Sequence, residues 1–177
     1  PRLKKDEEIV LEAIKHDHNY LVYFADESLK DNQEFMKKAI EINSNCIKHT
    51  SKKVKNDKNL ARELILKGAY IGYFGNDVKL DKELNLLFIS LDPIKNYFGT
   101  SKKMRTDIDI AVAGIVSKEE AKKDRYWKYN YIIETPKELF ENKEFALRAL
   151  KINSDLYKQF SKELQEDSDV LAIVNNC

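Results

Sequence analysis

DEEIVLEAI, Asp6 to Ile14, sets the pattern that decides the fold: a polar opening, an apolar fourth place, and a small or apolar pair at the eighth and ninth. The same pattern opens at Asn32, Asp57, Asp81, Asp107, Asn142 and Asp167. The fourth place then reads Ile9, Phe35, Leu60, Leu84, Ile110, Phe145 and Val170, all apolar. The eighth reads Ala13, Ala39, Leu64, Phe88, Gly114, Ala149 and Val174; the ninth reads Ile14, Ile40, Ile65, Ile89, Ile115 and Leu150, with Asn175 the one failure. Places four and five apart lie on one helical stripe, and Asp or Asn is a favoured N-cap because its side chain satisfies an orphan amide. Each start therefore predicts a capped amphipathic helix.

Three residues before each later start comes an apolar anchor, Leu29, Val54, Val78, Met104, Leu139 or Leu164, and seven before that Val22, Ile47, Ile71, Tyr97, Ile132 or Tyr157. This spacing predicts a second, shorter helix per unit, ending near Ala25, Thr50, Gly75, Thr100, Pro136 and Ser161. The starts are separated by 26, 25, 24, 26, 35 and 25 residues. One such unit cannot bury its stripe alone, so neighbours must stack and share a core. The expected fold is all-α: an α-solenoid-like array of about six two-helix units of roughly 25 residues plus a partial seventh, forming a single domain over 1–177. A non-repetitive helical bundle is the alternative.

The phrases DEEIVLEAIKHDHNYLVYFADESLKDN and NKEFALRALKINSDLYKQFSKELQED resemble the helical repeats of the domain of unknown function numbered 4116, which recur about every 25 residues. The resemblance implies an all-helical repeat fold and no chemistry. The third and fourth units depart from it, with Leu64 and Phe88 where a small Ala is usual.

Composition narrows the partners. Thirty-one basic residues against 30 acidic leave a net charge of +1, so no global field argues for nucleic acid or membrane. Two cysteines, Cys46 and Cys177, make neither a disulfide framework nor a four-thiolate metal site. The expectation is a cytoplasmic protein without cofactor or metal; the start at Pro1, without methionine, is compatible with a truncated N-terminus. Catalytic patterns are sparse. His16 and His18 are two apart and cannot share a helix face, His49 and Cys46 lack a third group, and the glycines Gly68, Gly72 and Gly75 lack the lysine of a phosphate loop. The expectation is no enzyme.

Two segments invite a partner. The turns TSKKVKND, Thr50 to Asp57, and TSKKMRTD, Thr100 to Asp107, place Lys52, Lys53 and Lys55 in register with Lys102, Lys103 and Arg105. Two units apart, they are expected at one edge of the array, where solvation alone also accounts for lysines. The irregular insert, about 117–135, carries Arg125, Tyr126, Trp127 and Tyr129, a mixture that suits an interface or a stacked base. Its other reading is one long helix from Ser117, with the aromatics covering a core seam. The expected function is non-enzymatic binding of another protein. The alternatives are nucleic-acid binding through a basic edge, a small bacterial inhibitor of a target enzyme, and a structural fragment of a longer array.

Overall fold

A cap side chain opens each of the seven predicted helices. In the computed structural model, which describes residues 2–17, 24–124 and 126–176, these are α1 (Glu7–His16), α2 (Gln33–Ile42), α3 (Lys58–Leu66), α4 (Lys82–Leu91), α5 (Ile108–Ala113), α6 (Lys143–Ile152) and α7 (Ser168–Asn175). Asp6, Asn32, Asp57, Asp81, Asp107, Asn142 and Asp167 each accept a hydrogen bond from the amide of the fourth-place residue, at 2.9 to 3.3 Å. Such a cap contributes about 1 kcal/mol. From α2 to α7 the capped amide belongs to the residue that also fills the core, so helix start and burial are fixed together. Phe35, Leu60, Leu84, Ile110, Phe145 and Val170 are buried, as are all six ninth-place residues from Ile14 to Leu150.

No strand occurs among the described residues. The links between capped helices are broken into two short pieces where the spacing predicted one short helix. A 3₁₀ segment comes first at Ser44–His49, Ile71–Tyr73 and Ser154–Gln159, and a single helical turn follows at Lys52–Lys55, Asn76–Lys79 and Lys162–Glu166; in the link after α4 a helical turn, Pro93–Asn96, leads into two 3₁₀ segments, Tyr97–Gly99 and Met104–Thr106. The break has a local cause. Thr50 and Thr100 donate their buried hydroxyls to the carbonyls of Ile47 and Tyr97, at 3.2 and 2.8 Å, while Ser51, Ser101 and Ser161 cap the next turn through the amides of Val54, Met104 and Leu164. All six anchors, Leu29, Val54, Val78, Met104, Leu139 and Leu164, are buried. Val22 lies outside the described residues.

The contacts group into two compact units, Pro1–Leu84 and Asn85–Cys177, with the division inside α4. In the first, α1 packs on α2 and α2 on α3. The residue after one cap reaches the next cap: Gln33 donates to the Asp57 carboxylate, and the Lys58 ammonium lies 2.7 Å from Asp81. Burial works upward on the Asp81 carboxyl, but Lys58 and the Leu84 amide outweigh it and hold it below the usual carboxylate range. In the second unit α5 packs on α6 and α6 on α7. There Lys143 bridges Asp167 and Asp169, at 2.8 and 2.7 Å.

The core of the second unit is built around two tyrosines. Tyr97 and Tyr131 are fully buried with ring centroids 4.9 Å apart. The Tyr131 hydroxyl donates to the carbonyl of Ala111 at 2.7 Å, and the Tyr97 hydroxyl shares a 2.8 Å hydrogen bond with that of Thr135. Burial pushes the Tyr97 phenol up to about 12 and that of Tyr131 well above its ordinary value, so both stay neutral. Gly114 makes room for this pair: a Cβ there would lie 2.3 Å from the Tyr97 ring. Since the ring is held at its hydroxyl and packed against Tyr131, Gly114→Ala is expected to lower stability by about 1–3 kcal/mol through overpacking. Urea denaturation measures this, and a neutral result would show that Tyr97 can move aside.

Candidate functional site

The duplicated turns separate into cations that the fold uses and cations that it does not. Lys55 is half-buried and donates to the carbonyl of Lys48 at 2.6 Å; burial, then the neighbouring Lys79 charge, pushes its ammonium down. Lys48 in turn sits 4.0 Å over the Tyr73 ring. Arg105, in register with Lys55, is only 4% exposed: its guanidinium pairs with the Glu134 carboxylate at 2.7 Å and lies 5.8 Å from the Tyr97 ring centroid. The expectation that Arg105 faces a partner is therefore corrected. Its charge is answered by Glu134 at the end of the insert. Lys52, Lys53, Lys102 and Lys103 are exposed and take no ion pair among the described residues.

The insert differs from the long helix expected from Ser117. Ser117 does cap a helix, accepting from the Glu120 amide at 3.2 Å, but that helix covers only Lys118–Ala121 and a new one runs over Trp127–Glu134. The second helix sends Tyr131 into the core, so it serves the seam; Tyr126 is exposed. Arg125 and the side chains of Trp127 and Tyr129 lie outside the described residues.

The end of that helix meets the second basic turn. A hollow of about 390 Å³ is lined by Lys102, Thr106, Ile133, Glu134, Pro136 and Lys137. A second, of about 470 Å³, is lined by Ile132, Ile133, Lys137, Phe140, Glu141 and Gln159. Ile133, 59% exposed, belongs to both. The structure thus brings Lys102 and the insert together around two residues that pattern reading passed over, Ile133 and Lys137. The signal was present in YIIETP: three consecutive apolar residues on a helix cannot all face one core, and with Tyr131 inward Ile133 must point elsewhere.

Burial pushes the Cys46 thiol up to about 12, which keeps it protonated and a poor nucleophile. His16 is at the exposed end of α1, His18 lies outside the described residues, and His49 is half-buried. No group of three or more His, Cys, Asp or Glu that could hold a metal ion occurs among the described residues. None of the described helices is long and apolar enough to cross a membrane.

Residues 6–55 match the model of a family described as a domain of unknown function (DUF4116). No curated protein and no solved structure matches the chain.

The two kinds of cation should respond differently to substitution. Glu134→Ala leaves the Arg105 guanidinium buried without its counter-charge and is expected to cost about 3–5 kcal/mol. Lys102→Glu and Lys103→Glu change solvated side chains and should stay within about 0.5 kcal/mol. Chemical denaturation of the three variants checks the division, and equal costs would contradict it.

Proposed function

We propose that the chain is a stacked helical-repeat module, α-solenoid-like, with about six units and a partial seventh, and that it binds another protein without catalysing a reaction. The recurrence of cap, stripe and anchor, and the packing of consecutive capped helices within each compact unit, support the stacking. The observation that carries the binding reading is Ile133, an exposed aliphatic side chain between two hollows that Lys102 and Lys137 line. An apolar knob flanked by cations suits a partner that offers an apolar side chain next to carboxylates. A phosphate backbone fits less well, because Glu134 and Glu141 line the same hollows. Binding through a basic turn, Lys52 and Lys53 in the first unit or Lys102 and Lys103 in the second, is the nucleic-acid alternative. Inhibition of a target enzyme, or service as one stretch of a longer array, would use the same kind of surface.

Affinity capture with the full chain, followed by mass spectrometry of protein and analysis of nucleic acid, separates these readings. Ile133→Asp and Lys102→Glu should each reduce capture of a genuine protein partner at least tenfold, which corresponds to about 1.4 kcal/mol. Capture that survives both substitutions contradicts the proposal. Recovered nucleic acid with an affinity falling steeply as salt rises would favour the alternative.

A further inference from the structure

The first capped helix exposes what every later one buries. Ile9, at the fourth place of α1, is 46% exposed, whereas its six counterparts are buried. Leu3, three residues before Asp6 and so at the anchor place, is 64% exposed, whereas its six counterparts are also buried. Leu3, Ile9, Val10, Ala13 and Phe24 line an apolar hollow of about 210 Å³. In α2, α3, α6 and α7 the corresponding stripe belongs to a helix with its predecessor packed on it.

Charge says what kind of predecessor α1 would take. Acids at the cap and two places after it are answered from the preceding helix: Asp81 and Glu83 by Lys58 and Arg62, at 2.7 and 3.3 Å, and Asp167 and Asp169 by Lys143. Helix α1 carries the same pair, Asp6 and Glu8, and neither forms an ion pair among the described residues. The choice of cap follows the same logic along the chain. The cap is Asp where the preceding helix opens with Gln33, Lys58, Lys82 or Lys143, and Asn where it opens with Glu7 or Ile108. In the three such pairs that meet within a unit, Gln33 with Asp57, Lys58 with Asp81 and Lys143 with Asp167, a donor or cation stands against the carboxylate cap. Asp6 is a carboxylate.

We infer that the Leu3–Ile9 face of α1 is a docking surface for a further helical unit of the chain's own pattern, whose helix opens with Lys directly after its cap. That helix lies on α1 as α6 lies on α7, its ammonium between Asp6 and Glu8 and its apolar stripe on Ile9 and Ala13. A second copy of this chain is a poorer occupant, because α7, the last capped helix, opens with Ser168 and Asp169 and brings no cation. The inference rests on the repeat reading above but not on the Lys102–Ile133 surface, so variants at Ile9 and at Ile133 report on the two separately.

The test adds such a unit to the whole chain. Residues 142–166, joined directly ahead of Asp6 in place of Pro1 to Lys5, keep the 25-residue cap-to-cap spacing and put Leu164 at the place of Leu3. The thermal midpoint should rise by roughly 5 °C or more. Ile9→Asp should then cost roughly 5–10 °C in the extended chain but under about 2 °C in the original one. Reversing the lysine of the added copy, Lys143→Glu, should remove part of the gain. In parallel, a labelled peptide of residues 142–166 is titrated with the full chain. Binding read by anisotropy that weakens at least tenfold with Ile9→Asp supports the inference even where the extended chain fails to fold. No rise in midpoint together with no binding of the peptide would overturn it. So would a concentration-dependent dimer of the original chain that Ile9→Asp abolishes, since the occupant would then be a second copy.

Discussion

The structure depends on what one short polar side chain does at each capped helix. From the second capped helix onward the cap oxygen satisfies the amide of the residue whose side chain enters the core, and where the cap is Asp81 or Asp167 the same carboxylate also receives the ammonium of the helix before it. Neither contact is strong alone: a cap contributes about 1 kcal/mol and an exposed ion pair less. Their value lies in register. A helix that started one residue early at Asp81 or Asp167 would turn Leu84 or Val170 out of the core, lose its cap and move its carboxylate away from the preceding lysine, so three penalties coincide on one error.

The second compact unit adds a polar lock to this scheme. Tyr97 comes from a 3₁₀ link, Tyr131 from the insert, Gly114 from the end of α5 and Thr135 from the turn after the insert, and they meet through two hydroxyl hydrogen bonds and one ring contact. Arg105 closes the same region by reaching Glu134. The insert is thereby tied down at its far end, which positions Ile133 at the surface as a consequence of placing Tyr131 in the core. A surface residue held by core packing two places away has little conformational freedom to lose on binding, which favours its use as an anchor.

The helix starts were legible because the capping residue and the apolar stripe obey separate rules that agree at the same seven places. The links were less so. Thr50 and Thr100 look like ordinary turn residues, yet their hydrogen bonds to carbonyls three residues back close a 3₁₀ segment ahead of the next turn. The duplicated basic turn was misread in one respect, for Lys and Arg in equivalent places need not share a fate: Arg105 is drawn inward because the insert supplies Glu134, a residue that no local pattern links to it. Ile133 was hidden for the opposite reason, since an aliphatic residue beside a buried tyrosine reads as core until the face of the helix is known. The alternation of Asp and Asn at the caps was written in the sequence, but it acquires meaning only once Lys58 and Lys143 are seen to reach the next helix.

The cap carboxylate joins consecutive helices as well as opening its own, and a double-mutant cycle on Lys143→Ala and Asp167→Asn measures that joint. Asparagine keeps the cap and removes only the charge, so the cycle isolates the link between α6 and α7. A favourable coupling of about 0.3–1 kcal/mol that shrinks at high salt is expected. Strictly additive effects of the two substitutions, at low salt as at high, would contradict it.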